Sequence, residues 1–261
     1  MPQWLLAKWR LDVVSLKMRG PVGVVTLDRP PANAIDADVL NALFEIRDRI
    51  FADESIRAVV VTGSPRVFCA GVDIGMIRDF LQRSDGQREM LGFVRRIQAF
   101  FTAWHSLPVP TITALAGSAT GGGLEFALAS DLRVASETAR FGLTEVKIGL
   151  VPGGGGTQRL ARVAGIATAT RLILTGDLVS GTEAQRLGIV HVAMPADGVE
   201  ELAFDWADGL VTRSASALRE IKNCLAMAPS DGGFAAEVDG SERLLAEPGA
   251  IDYVSSFFAS K

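Results

Sequence analysis

Apolar residues recur along this chain with two different periods, and the switch between them lays out its elements. Over residues 13–27 apolar and polar positions alternate on both sides of Arg19-Gly20-Pro21, which predicts a β-hairpin. Arg29-Pro30-Pro31 cannot prolong a strand. Beyond it Val39, Leu40, Leu43, Phe44, Ile46, Ile50 and Phe51 fall at helical spacing and predict an amphipathic helix. Ala58–Thr62 is a short apolar strand, and a helical stretch over roughly 87–104 is stopped by Pro108. Thr111–Leu115 is strand-like again, 121–130 turns into a helix, and 132–135 returns to strand. This repeated β-α-β order predicts an α/β core. From about Val199 onward the strand signals vanish, and helical patterns follow around 200–211, 215–227 and 234–245. The expected organisation is a core over 1–198 and a helical region over 199–261. No fixed-period repeat, low-complexity tract or charge block stands out, so the plain pattern calls for nothing beyond an α/β sheet.

Composition narrows the function classes. A chain of 261 residues that is 48% hydrophobic can bury a substantial core. Its 26 Lys and Arg against 30 Asp and Glu give a net charge of −4, so nothing draws it globally to nucleic acid, and a polyphosphate partner needs a local basic patch. Cys69 and Cys224 are too few for a disulfide framework and have no metal-like spacing, which points to a reducing compartment. The opening segment, residues 1–14, has no long apolar run, and no later segment reaches the roughly eighteen apolar residues of a membrane span. A cytoplasmic, membrane-free protein is expected.

Several chemistries are poorly served. With His105 and His191 as the two histidines, a histidine-rich metal site is excluded, and a Ser-His-Asp triad would hang on one of them. His191 lies in an apparent strand, and His105 ends a helix, where it complements the dipole. There is no GxSxG elbow. The glycine clusters at 121–123 and 153–156 neither precede Lys-Ser/Thr nor spell GxGxxG, which speaks against nucleotide hydrolysis and dinucleotide redox chemistry. Cys69, in an apolar run, reads as packing.

What remains is a constellation around one glycine run. Gly117-Ser-Ala-Thr-Gly-Gly-Gly-Leu-Glu125 follows a strand and enters an apolar helix, and glycines at a helix start leave backbone N–H groups open to a ligand oxygen. A tight turn explains the same glycines equally. Phe68-Cys-Ala-Gly-Val-Asp73-Ile, the loop after strand 58–62, can present a second N–H, and two converging donors suit a thioester enolate. Asp73 also reads as the cap of a following turn. Glu125 falls in a first helical turn, and Glu145 follows Phe141-Gly-Leu-Thr in what reads as a solvated loop. In one apolar pocket, however, two carboxylates divide acid and base roles, because desolvation and mutual repulsion separate their pKa values.

Taken in order, these motifs resemble the crotonase superfamily, the enoyl-CoA hydratase/isomerase family. The likeness runs from Leu27-Asp-Arg-Pro-Pro-Ala-Asn-Ala through Phe68–Ile74, 117–136 and Phe141-Gly-Leu-Thr-Glu145 to Val151-Pro-Gly-Gly-Gly-Gly-Thr-Gln-Arg-Leu160. The resemblance implies a spiral of ββα turns, a helical C-terminal trimerisation region, and a homotrimer or a homohexamer built as a dimer of trimers. It implies an acyl-CoA substrate within fatty acid metabolism, with coenzyme A as part of the substrate, no separate cofactor and no metal. By the same likeness the backbone N–H groups of Val72 and Gly122 form the oxyanion hole. Ala70, Asp73, Ile74 and Gly75 line the adenine and pantetheine path, and Gly153 supplies a backbone donor near the catalytic water. Glu145 is then the acid at Cα and Glu125 the base for water, in syn hydration of a trans-2-enoyl-CoA. Two alternatives stay open: an enoyl-CoA isomerase that works through one glutamate, and an acyl-CoA-binding scaffold without turnover. Pro31 and Gly75 stand where relatives carry lysines near the CoA phosphates, which leaves Arg29 or a neighbouring subunit to meet them.

Overall fold

The computed structural model describes residues 9–11, 13–228 and 230–259, and the opening segment 1–8 read above lies outside them. A seven-stranded sheet is built from Trp9–Leu11 (β1), Val14–Arg19 (β2), Val22–Leu27 (β3), Ala58–Thr62 (β4), Thr111–Leu115 (β6), Leu132–Ser136 (β8) and Val192–Met194 (β11), which neighbour one another in that order. The predicted hairpin is β2 and β3, paired antiparallel from Val14↔Leu27 to Arg19↔Val22. From β3 onward every neighbour is parallel.

A second sheet was not legible in the pattern. Val67–Cys69 (β5), Ser118–Thr120 (β7) and Arg140–Gly142 (β9) run parallel, and Val179–Ser180 (β10) closes the sheet antiparallel to β9. Strands β4, β6 and β8 of the large sheet are each followed by a strand of the small one. The chain therefore winds as stacked turns, one strand to each sheet per turn, which is the crotonase spiral rather than a single α/β sheet.

Helices pack around the two sheets. Ala37–Ala52 (α1), Ile74–Leu81 (α2) and Gly86–His105 (α3) come first, then Gly122–Ala129 (α4). Gly156–Ala164 (α5), Ile166–Thr175 (α6) and Gly181–Arg186 (α7) complete the spiral region. Val199–Val211 (α8), Ala215–Met227 (α9), Gly232–Leu245 (α10) and Ala250–Ala259 (α11) form the helical stretch. None of the described helices is long and apolar enough to cross a membrane.

Strand β4 shows why this sequence makes a buried central strand. Val59 and Val61 face the main core, while Ala58 and Val60 face the opposite side, so an unbroken apolar run serves two covered faces. The opposite face is covered by α8, whose Val199, Ala203 and Ala207 are spaced at one helical turn and fully buried. The helical region thus begins with a helix that is part of the sheet's packing. Helix α9 is fastened to the core by Lys222, which donates to Val109 O at 2.9 Å and to Asp131 at 2.5 Å. Helices α3 and α4 meet through rings: Phe101 stacks on Phe126 at 5.6 Å, and Trp104 meets Phe126 edge-on at 5.1 Å.

Candidate active site

The three parallel strands of the small sheet each end at one corner of a single pocket. Beyond β5 lie Gly71 and Val72, beyond β7 lie Gly122 and Glu125, and beyond β9 lie Thr144 and Glu145. Strand order β9-β7-β5 places Gly122 and Glu125 in the middle, with Val72 to one side and Glu145 to the other. The carboxyl ends of parallel strands thus form the site, as open α/β sheets commonly arrange it. The loops are knitted together: Thr120 Oγ1 donates to Ala70 O at 3.1 Å, and Gly121 N–H to Gly142 O at 2.9 Å.

Glycine is required at the seams. Gly71 has φ +98°, and a Cβ there would sit 2.9 Å from Thr120 O and 3.0 Å from Gly122 N. A Cβ on Gly122 would lie 3.4 Å from Val72 N, so these two N–H groups border the same small space. Neither donates a hydrogen bond among the described residues. The Val72 N–H is left over because Ile35 bridges to this loop through Gly71 O and Asp73 N–H instead. Gly122 N–H is unclaimed as the first residue of α4, one of the donors that a helix start leaves open.

The loop carrying Val72 is held from behind. Asp73 caps α2 by accepting from Met76 N–H at 3.1 Å, and Asp36 caps α1 by accepting from Val39 N–H at 2.9 Å. Arg29 reaches both carboxylates, at 2.7 Å for Asp36 and 3.0 Å for Asp73, and donates to Ala34 O. The Met76 N–H, joined by Arg29, holds the Asp73 carboxyl below its ordinary value. The Arg29 guanidinium thus joins two helix caps. Asp73 and Gly75 lie with Arg29 along a shallow depression outside the pocket. Ala70, Val72, Ile74, Gly122, Glu125, Glu145 and Gly153 all line the pocket itself.

Glu125 is 2% exposed, one turn into α4. Its Oε1 accepts from Gly154 N–H at 2.8 Å and Gly156 N–H at 2.7 Å, and Phe101 closes the apolar side. The run at 153–156 does not by itself reveal these two donors in the sequence, because they act on a side chain 29 and 31 residues away. Burial pushes the Glu125 carboxyl up to about 7, and repulsion from Glu145 adds to this, against the two N–H donors and Arg159.

Glu145 opens the one-turn 3₁₀ segment Glu145–Ile148, which ends at Gly149 in the left-handed region. It is no solvated loop residue: burial raises its carboxyl too, and Oε2 is buried with no hydrogen-bond partner among the described residues. Its other oxygen rests over Gly121, where a Cβ would come within 3.1 Å. The wall opposite is apolar, with Met90, Phe93, Val94 and Ile97 from one face of α3 and Ile148, Leu150 and Val151 following Glu145. Its α3 face was visible as helical periodicity but could not be aimed at a site from sequence.

The two histidines and Cys69 take structural roles. Nδ1 of His105 lies 3.3 Å from Ala129 O at the end of α4, and Nδ1 of His191 accepts from Arg133 N–H at 3.1 Å. Burial pushes the Cys69 thiol up to about 12.

Glu125 carries a testable penalty. Its carboxyl, raised from 4.5 to about 7, keeps a proton in the folded chain that the unfolded chain has released, so its share of stability falls as pH rises between those values. Glu125→Gln is therefore expected to match the wild-type thermal midpoint near the acid end of that window and exceed it by several degrees above pH 7. Thermal unfolding followed by circular dichroism across pH checks this, and a constant offset would refute it.

A pocket with two unclaimed backbone donors and two desolvated carboxylates is equipped to stabilise an oxyanion and move protons beside it. Comparison with known proteins agrees. The family model described as enoyl-CoA hydratase/isomerase matches residues 17–252. A Mycobacterium tuberculosis protein named probable enoyl-CoA hydratase echA8 is 40% identical over 209 residues, which span 78% of this chain and 77% of that protein. Among solved structures, Pseudomonas aeruginosa DspI superposes with a TM-score of 0.89 at 31% identity, covering 96% of this chain and 95% of that one. An enoyl-CoA hydratase from Bacillus anthracis superposes with a TM-score of 0.88 at 30% identity, covering 95% and 97%. The chain belongs to the enoyl-CoA hydratase/isomerase family of the crotonase superfamily.

Proposed function

We propose that this protein hydrates trans-2-enoyl thioesters of coenzyme A by syn addition of water. The observation that carries the reading is the placement of Glu125 and Glu145 on one pocket beside the unclaimed N–H groups of Val72 and Gly122. In this reading the thioester oxygen sits between the two N–H groups. One carboxylate takes a proton from water as the oxygen attacks Cβ, negative charge passes to the thioester oxygen, and the other carboxyl protonates Cα. Glu125 suits the base, since a carboxyl raised to about 7 is a stronger base than an ordinary carboxylate, and two backbone donors hold its oxygen in place. Glu145 suits the acid, since a proton on its orphaned Oε2 spares a buried charge. Coenzyme A enters as part of the substrate, and the backbone donors do the polarising for which other enzymes use a metal.

The test is incubation of the purified protein with trans-2-enoyl-CoAs of several lengths, following loss of the conjugated double bond. Conversion of a 3-enoyl-CoA to the conjugated isomer without hydration would replace the proposal with isomerisation. Tight CoA binding without turnover would replace it with a scaffold.

Assembly as a trimer or a dimer of trimers belongs to the same reading. Helices α9 and α10 are joined by Arg243 to Glu220 at 2.7 Å, yet expose Leu225, Phe234, Val238 and Leu245, the last 79% accessible. An apolar surface of that kind favours burial against another copy. Light scattering is expected to give three or six chain masses, and a monomer at micromolar concentration would refute it.

A further inference from the structure

Behind the loop that holds Glu125 lies a second cavity, between α3, α5 and α9, and Arg159 of α5 sits in its wall. Arg159 does not line the pocket that holds the two carboxylates. Its Nη1 donates at 2.9 Å to the carbonyl of Gly154, whose N–H donates to Glu125. The residue between them makes room for this: a Cβ on Gly155 would lie 2.1 Å from Arg159 Nη1. The neighbouring donor, Gly156, begins the helix that carries Arg159. One guanidinium therefore pins the Gly154–Gly155 peptide, which lies between the two N–H groups, of Gly154 and Gly156, that hold the carboxylate.

Building on the hydratase reading, we infer that Arg159 is a positioning residue for Glu125, holding the Gly154–Gly155 peptide so that the N–H groups on either side of it, of Gly154 and Gly156, fix the carboxylate's orientation, and supplying opposite charge from outside the pocket. The charged groups acting on Glu125 are Glu145, from the segment after β9, and Arg159; Arg162 acts in turn on Arg159. On the α3 side the apolar ring of Phe101 and the Glu125 carboxylate both crowd Gly154, each 2.6 Å from a Cβ placed there. With Glu145 raising the proton affinity of Glu125, Arg159 is the cation that opposes it. Its removal strengthens proton binding at Glu125, so the pH at which the base is lost by protonation moves upward.

The experiment compares wild type with Arg159→Gln, Arg159→Lys and Arg162→Gln, the last altering the same cavity without touching Gly154. Hydration of a 2-enoyl-CoA is followed from acid to alkaline pH. For Arg159→Gln, kcat at neutral pH is expected to fall on the order of tenfold or more, with KM changed less than about twofold and the acid limb of kcat raised by about one pH unit. Arg159→Lys recovers part of both effects, and Arg162→Gln follows the wild type. A loss equal at every pH, a loss carried by KM, or the same shift in Arg162→Gln overturns the assignment.

A second readout needs no turnover. The ¹³Cδ resonance of Glu125, identified by its disappearance in Glu125→Gln, is expected to titrate at higher pH in Arg159→Gln, and an unmoved midpoint overturns the proposal. In a protein that hydrates no thioester this titration still decides the role of Arg159, while the hydratase reading fails by itself. Should Arg159→Gln not fold, the same titration of Arg159→Lys decides: a smaller rise is expected, and the wild-type midpoint overturns it.

Discussion

Replacing Glu145 or Glu125 by glutamine is expected to lower kcat for hydration by about 10²–10⁴-fold, the usual worth of a positioned acid or base, with little change in KM. Glutamine fills the same volume, so the thioester still reaches the N–H groups of Val72 and Gly122. What disappears is the group that accepts the proton from water or the one that delivers it to Cα. Because the two act on one addition, the double variant is expected to lose little more than either single one. At Glu125 the substitution keeps an oxygen to accept from Gly154 and Gly156, so a loss of activity there is chemical rather than a collapse of the loop. Hydration within a few-fold of wild type in either variant would end the two-carboxylate mechanism. Survival of double-bond migration in Glu125→Gln, with hydration lost, would show that Glu145 alone can shuttle a proton.

A smaller change at a neighbouring position should break the site from below. Gly123→Ala places a methyl group 2.2 Å from the Cys69 carbonyl oxygen, and 2.8 Å from its carbon. Both partners are backbone, so neither can rotate away; α4 must rise from the β5 loop. Overpacking of this kind costs roughly 2–3 kcal/mol, which for a chain of this size corresponds to a thermal midpoint lower by about 5–10 °C. The displaced α4 carries Gly122 and Glu125 with it, so catalysis should fall further than in a variant of equal instability elsewhere. Comparison of kcat with a destabilised control, such as Ile46→Ala in the α1 core, separates the two contributions. A Gly123→Ala protein with wild-type midpoint and kcat would contradict the packing described.

The parts of this fold that can be read in sequence are those long enough to show a period. Helix α1 declares itself through seven apolar residues, and β4 through an unbroken run buried on both faces. The strands β5, β7 and β9 have three residues each, too few for alternation to register, and their pairing rests on contacts between distant turns. The spiral was therefore legible only through the family likeness. Helix α11 was also passed over, beginning as it does just after Pro248 and Gly249. At the site, Glu125, Glu145 and the glycine run could be picked out because carboxylates and glycines are chemically conspicuous. Their fixings could not. The bonds from Gly154 and Gly156 to Glu125 cross 29 and 31 residues, and Arg29 spans 44 to reach Asp73. No local pattern encodes such partners, nor the clasp that Arg29 forms between two helix caps.

The two kinds of working group in this pocket are inherited differently. The N–H groups of Val72 and Gly122 belong to the main chain, so no side-chain exchange short of proline removes them while the loops keep their course. The carboxylates are side chains on two different turns of the spiral, and either can be exchanged without the other. Under the proposed reading the fold separates a fixed capacity, stabilising negative charge on a thioester oxygen, from a variable one, deciding which protons move. Lineages descending from such a scaffold can change reaction while keeping their substrate handle.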